Sequence, residues 1–296
     1  MECFGGGPPL PRNRLSPSGS WEPVMGGPAC GDPRSRPALE AFWGDCRFDV
    51  DTLRRLRFQS RRFDPILRFL QRRQLRPPLR VLDVGAGTGS LSVALKAHYP
   101  GTYHLADYAP PSSALAEAWE RQGLGPYFSI DLTGPDPLRD LPTGYDLVLF
   151  VEVLEHLLAN PIRVLRALRS RLAPGGGLLL TTPNQARLRN RWNLLRNRSI
   201  REPEAFPLDD RPLYGHVMEY AWEDLASFLP AAGFGEMDHE VVQHLPSMDP
   251  SRLQRWGSRF LGSPVGRWSG LGDDLLIWAV ATAGAGPSPP EGPRVP

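Results

Sequence analysis

The stretch Val81-Leu-Asp-Val-Gly-Ala-Gly-Thr-Gly89 runs from an apolar segment into three alternating glycines. Its valines and leucine suit a strand buried in a parallel sheet. Gly85, Gly87 and Gly89 give the turn access to positive φ and let a ligand approach the backbone with no Cβ in the way. Residues 90–98 are helix-compatible, so the whole reads as strand, tight turn and helix. Such a unit puts a ligand at the carboxyl edge of the sheet, where open α/β folds bind small molecules. The spacing excludes two common nucleotide sites. A dinucleotide turn needs a third glycine where Ser90 stands, and a phosphate loop needs Gly-Lys-Ser/Thr, which is absent.

Working outward, apolar runs at 80–84, 103–106, 127–130, 145–151 and 178–182 predict strands, with helices at 112–122 and 160–172. Pro174-Gly-Gly-Gly177 predicts the turn into the fifth strand. A helix over 221–232 ends at Gly233, as a C-cap glycine would end it, and strands at 240–244 and 275–282 follow. Alternation of strands and helices predicts an α/β fold with a parallel sheet. Upstream, Leu53, Leu56, Phe63, Ile66, Leu67, Phe69 and Leu70 repeat at helical spacing among arginines, with Pro65 at a break or first turn. The expected organisation is a disordered segment over 1–38, N-terminal helices over 39–78, an α/β domain over 79–283 and a disordered tail over 284–296.

Composition limits the function classes. The 296 residues are 41% hydrophobic, enough for a substantial core, and the formal net charge of +2 is too small to argue for nucleic acid by itself. Cys3, Cys30 and Cys46 have no metal-ligand spacing and suit a reducing compartment. No apolar run approaches the ~20 residues of a membrane span, so a cytoplasmic protein is expected.

Asp83 sits within the first strand, where its carboxylate can accept from an ammonium group or orient the turn. Asp107, at the end of the second strand and 24 positions further on, stands where a nucleotide fold places an acid on ribose hydroxyls. Tyr108 would then lie beside the adenine. Asp131, followed by Leu132 at the third strand end, can accept from the adenine amino group or simply begin a loop. With Asp107, Val151-Glu-Val-Leu-Glu-His156, Pro174-Gly-Gly176 and Thr181-Thr-Pro-Asn184, the glycine stretch resembles class I S-adenosylmethionine-dependent methyltransferases, in particular the ubiquinone-biosynthesis O-methyltransferase-like branch. The resemblance covers residues 80–282. It implies a Rossmann-like three-layer sandwich with a seven-stranded, mostly parallel sheet whose last strand is antiparallel. It also implies S-adenosyl-L-methionine at Asp83, Gly85, Ala86, Gly87, Gly89, Asp107, Tyr108, Asp131, Leu132 and Glu152.

Glu152, Glu155 and His156 are expected on a helix leaving the fourth strand, where offsets of three and four share a face. Two readings follow. His156 acts as general base with Glu155 beside it, or Glu152, Glu155 and His156 hold Mg²⁺ or Mn²⁺. The resemblance extends the second reading: small-RNA 2′-O-methyltransferases use this motif with a later histidine, for which His216 of His-Val-Met-Glu-Tyr220 is the candidate.

The insertion at 185–220 lies where relatives carry a substrate lid. Arg187, Arg189, Arg191, Arg196, Arg198 and Arg201 surround Leu188, Trp192 and Leu195, whose offsets of four and seven make one helical stripe. One reading is a helix packed on the core with solvated arginines. The other is an anionic acceptor: a phosphate-linked sugar, a lipid-linked glycan at a membrane surface, or RNA. The expected reaction is methyl transfer to an oxygen of a small-molecule or glycan- or lipid-linked hydroxyl, with nucleic acid less favoured. A non-catalytic cofactor-binding module and a nicotinamide oxidoreductase are the alternatives.

Overall fold

The computed structural model describes residues 30–201, 215–243 and 270–282. The expected disordered ends, apart from residues 30–38, and the middle of the lid insertion lie outside these residues. Three helices, α1 (Ser35–Asp45), α2 (Val50–Gln59) and α3 (Phe63–Gln71), lead into β1 (Leu79–Val84). There follow α4 (Ser90–Lys96), β2 (Gly101–Asp107), α5 (Ser113–Arg121), β3 (Leu124–Ser129), β4 (Tyr145–Val151) and α6 (Pro161–Arg169). The chain continues through β5 (Leu172–Pro183), α7 (Leu188–Leu195), α8 (Trp222–Ala231), β6 (Phe234–Val242) and β7 (Asp274–Ala281).

The strands form one sheet in the order β3-β2-β1-β4-β5-β7-β6. The first five pair in parallel, and β7 runs antiparallel to both of its neighbours. The order reverses between β1 and β4, so the crevice beyond their carboxyl ends is where such sheets bind ligands. Each face of the sheet has its own apolar core. Phe42 and Trp43 of α1, Phe69 of α3 and Leu95 of α4 pack against Val81, Leu105 and Leu147 on one side. Val164 and Leu168 of α6 with Leu225 and Leu229 of α8 pack against Leu82, Val148 and Ile277 on the other. The strands around β1 and β4 are therefore covered on both faces.

Helix α1 begins at Ser35, before the boundary expected at 39. Polar anchors, which carry no apolar period, fix its approach: Cys30 N–H donates to Ser60 Oγ at 3.0 Å, and Ser35 Oγ donates to the Ala94 carbonyl at 2.8 Å. His98 Nε2 meets Asp32 at 2.7 Å. The expected turn at 174–177 is an irregularity within β5, whose register against β4 shifts between Tyr145 and Leu147. Strand β6 starts at Phe234, six residues before the expected start at 240, because Gly235, Glu236 and Asp238 face solvent and hide the alternation.

Candidate functional site

The glycine turn stands at the carboxyl end of β1. Gly85 N–H donates to the Ala106 carbonyl at 2.8 Å and Ala86 N–H to the same oxygen at 3.2 Å, which ties the turn to β2. The glycines serve different ends. A Cβ on Gly85 would come within 2.3 Å of Val153 Cγ2, and one on Gly89 within 2.6 Å of Trp119 Nε1. A Cβ on Gly87 would meet nothing within 4 Å. The first two are required by packing; the third borders open space, the cradle a cofactor would occupy. Asp107 accepts from Gly87 N–H at 2.7 Å and from Tyr108 N–H at 2.6 Å, so its carboxylate lies against that cradle. Tyr108 projects beside it, 75% exposed.

Asp83 is buried beneath the turn and accepts from Ser92 Oγ at 2.7 Å. Burial pushes its carboxyl up to about 7, with Asp107's charge adding to the rise and the Ser92 bond opposing it. At the β3 end, Asp131 is exposed and its Oδ1 accepts from the Thr133 N–H and hydroxyl. The structure therefore places Asp131 as the start of a loop. Leu132 beside it is buried.

The Glu-x-x-Glu-His motif does not form the expected helix. Glu152 has φ +56, and only Leu154–His156 makes a single 3₁₀ turn. Helix α6 waits for Asn160, whose side chain caps Ile162 and Arg163, and for Pro161 at its first position. The three side chains consequently diverge. Glu152 accepts from Thr181 Oγ1 at 2.8 Å and from Arg62 at 2.8 Å, a partner from the N-terminal helices that sequence spacing did not reveal. Glu155 is fully buried; Thr182 Oγ1 donates to its Oε2 at 3.1 Å, while Oε1 is buried and accepts no hydrogen bond. Burial holds the Glu155 carboxyl well above the usual range, and the neighbouring Glu152 charge raises it further.

His156 donates from Nδ1 to the Gly215 carbonyl at 2.8 Å, since a carbonyl can only accept. In the neutral ring the lone pair is then on Nε2, 3.9 Å from Glu155 Oε1. The segment beginning at Gly215 is held there because Val217 and Met218 N–H donate to the Glu155 carbonyl. This brings His216 to His156, with ring centroids 5.0 Å apart. Glu155, His156 and His216 each offer one ligand atom within 4.8 Å of the others. Of the four expected ligands the structure thus brings together Glu155, His156 and His216, and Glu152 is not in this group.

A further network lies behind His216. Its Nδ1 is 3.6 Å from Glu219 Oε1, and Glu219 accepts from Arg187 at 2.6 Å and from Asn190 at 3.0 Å. The His-x-x-Glu spacing was the signal for this arrangement. Despite the desolvation of its site, Glu219 is held below the usual carboxylate range by bonds to His216, Arg187 and Asn190. Arg187, grouped with the lid arginines in the sequence, is therefore a buried structural cation.

A methyltransferase-domain family model matches residues 54–256, more than half of the chain. The chain is 35% identical over 112 residues to a ubiquinone biosynthesis O-methyltransferase of Xanthomonas campestris pv. campestris, covering 37% of this chain and 45% of that protein. It is 36% identical over 110 residues to the Cereibacter sphaeroides protein of the same name, covering 36% and 42%. The alignments thus span less than half the length of these curated relatives. A Haloferax volcanii methyltransferase, solved with the Trm112 methyltransferase activator, is similar in fold: TM-score 0.50 at 17% identity, over 77% of this chain and 92% of that one. The family match, set on this glycine turn and strand order, shows that the chain belongs to the methyltransferase-domain family of S-adenosylmethionine-dependent class I methyltransferases.

Proposed function

We propose that the chain transfers a methyl group from S-adenosylmethionine to a hydroxyl of a small organic acceptor, with His156 as the base. The observation that carries this reading is the 2.8 Å approach of His156 Nδ1 to the Gly215 carbonyl. With Nδ1–H committed to Gly215, the neutral ring keeps its lone pair on Nε2, which stands 3.9 Å from Glu155 Oε1. The open space at Gly87 and the carboxylate of Asp107 fit the cofactor's ribose end. When bound, the cofactor supplies an electrophilic methyl on a positively charged sulfur. The protein's main task is then alignment, which in favourable intramolecular models is worth about 7–11 kcal/mol. His156 takes the acceptor's proton at Nε2, a role worth typically about 10²–10⁴-fold in rate.

The cluster of Glu155, His156 and His216 supports a second, metal-assisted reading. A buried carboxylate oxygen that accepts no hydrogen bond, beside two imidazoles, fits a divalent cation. This donor set is richer in nitrogen than expected and suits Mn²⁺ or Zn²⁺ better than Mg²⁺. A cation there would lower the pKa of an acceptor hydroxyl.

Transfer of labelled methyl from the cofactor to a panel of phenols separates the readings. His156→Ala should retain cofactor binding and lose at least about 100-fold in kcat, with wild-type activity unchanged by chelator. Loss of activity in chelator, restored by Mn²⁺, would select the metal reading. Full activity of His156→Ala would overturn both.

A further inference from the structure

Helix α7 is packed with its polarity inverted. A helix on a protein surface turns its apolar stripe to the core. Here Asn190 is 1% exposed and Arg187 is buried, both bonded to Glu219, while Leu188, Trp192, Leu194 and Leu195 are 43, 57, 59 and 79% exposed. The apolar stripe expected to pack on the core thus faces outward. The helix is nevertheless fixed in place: Leu188 N–H donates to the Leu271 carbonyl, and Arg191 Nε donates to the Ala186 carbonyl.

Cations stand within and directly after this helix in sequence. Arg189, Arg191, Arg196, Arg198 and Arg201 are all exposed, and no aspartate or glutamate occurs between Gln185 and Arg201. The Arg196 guanidinium lies 5.8 Å from the Trp192 ring centre. Exposed apolar side chains with a tryptophan, interleaved with exposed arginines, match the interfacial region of a lipid leaflet carrying anionic headgroups. Single-stranded RNA would use the arginines and one aromatic ring, but three exposed leucines offer it little, whereas acyl chains take them all. Among the described residues no helix is long and apolar enough to cross a membrane.

We propose that α7 is an interfacial helix that seats this face of the protein on an anionic bilayer, immediately behind the His216–Glu219 network. The inference stands independently of the methyl acceptor. The full chain should co-sediment with phosphatidylcholine vesicles containing phosphatidylglycerol, and binding should weaken by about tenfold or more without the anionic lipid or in high salt. Trp192→Ser with Leu195→Ser should reduce partitioning by about tenfold or more while leaving the thermal transition and cofactor binding unchanged, because both side chains are exposed. Arg189→Gln with Arg198→Gln should remove the preference for anionic lipid and keep the fold. Equal partitioning of the wild type and the Trp192/Leu195 variant would overturn the proposal. So would equal affinity for neutral vesicles, or binding of a labelled single-stranded RNA with none to vesicles.

Discussion

Replacing Asp83 with asparagine tests how the buried carboxyl beneath the glycine turn is held. Asp83 is 3% exposed, and burial pushes it up to about 7. In the unfolded chain it titrates near an ordinary aspartate value of about 4. Between these values the folded state keeps a proton that the unfolded state has released. The group's contribution to stability is therefore complete below about pH 4, falls as pH rises and levels off above about pH 7. A difference of about three units, at 1.36 kcal/mol each, sets an upper limit of about 4 kcal/mol. Asparagine can still accept from Ser92 Oγ, so the variant removes the titration and keeps the hydrogen bond. Urea unfolding of both proteins across this range isolates the effect. The stability of wild type minus that of Asp83→Asn should fall by up to about 4 kcal/mol between pH 4 and 7. A difference that stays flat, or rises with pH, would refute the placement of Asp83 as a buried neutral acid.

Two further substitutions test the packing around the site. An added Cβ on Gly177 would lie 1.9 Å from the Trp278 ring, so Gly177→Ala should destabilise by about 1–3 kcal/mol in urea unfolding, with Trp278→Leu recovering part of the loss. Glu219→Leu would leave Arg187 buried without its carboxylate and should cost about 3–5 kcal/mol, whereas Arg187→Leu with Glu219→Leu should cost less than either single change. Thermal or urea unfolding of the three variants checks the order.

Much of the fold was legible because burial on both faces leaves a simple mark. The run Tyr145–Val151 is apolar almost throughout and is β4; the glycines at 85–89 carry the positive φ values that the turn required. Strand β6 was mostly missed because it lies at the sheet edge, with polar residues facing solvent over its first half. The candidate site was legible in composition and less so in geometry. Glu152, Glu155 and His156 were singled out together, but an assumed helix set their common face, where the structure has a single 3₁₀ turn. The left-handed backbone at Glu152 sends that side chain to Arg62, a contact across ninety positions that no local pattern encodes. The orientation of α7 was inverted for a similar reason: its apolar stripe is real, and only tertiary contact through Asn190 and Arg187 determines which way it faces.

The central claim is that the turn at Gly85–Gly89 holds S-adenosylmethionine. Calorimetric titration of the cofactor and of S-adenosylhomocysteine into wild type and Gly87→Val tests it most directly. A Cβ at Gly87 would meet no protein atom within 4 Å, but the backbone there has φ +53, which strains any side chain, so the variant's thermal transition is measured beside its binding. The account predicts that wild type binds both compounds, and that the folded variant binds at least about tenfold more weakly, or about 1.4 kcal/mol. Equal affinity in the two proteins, or binding of NAD by wild type with none of S-adenosylmethionine, would contradict it.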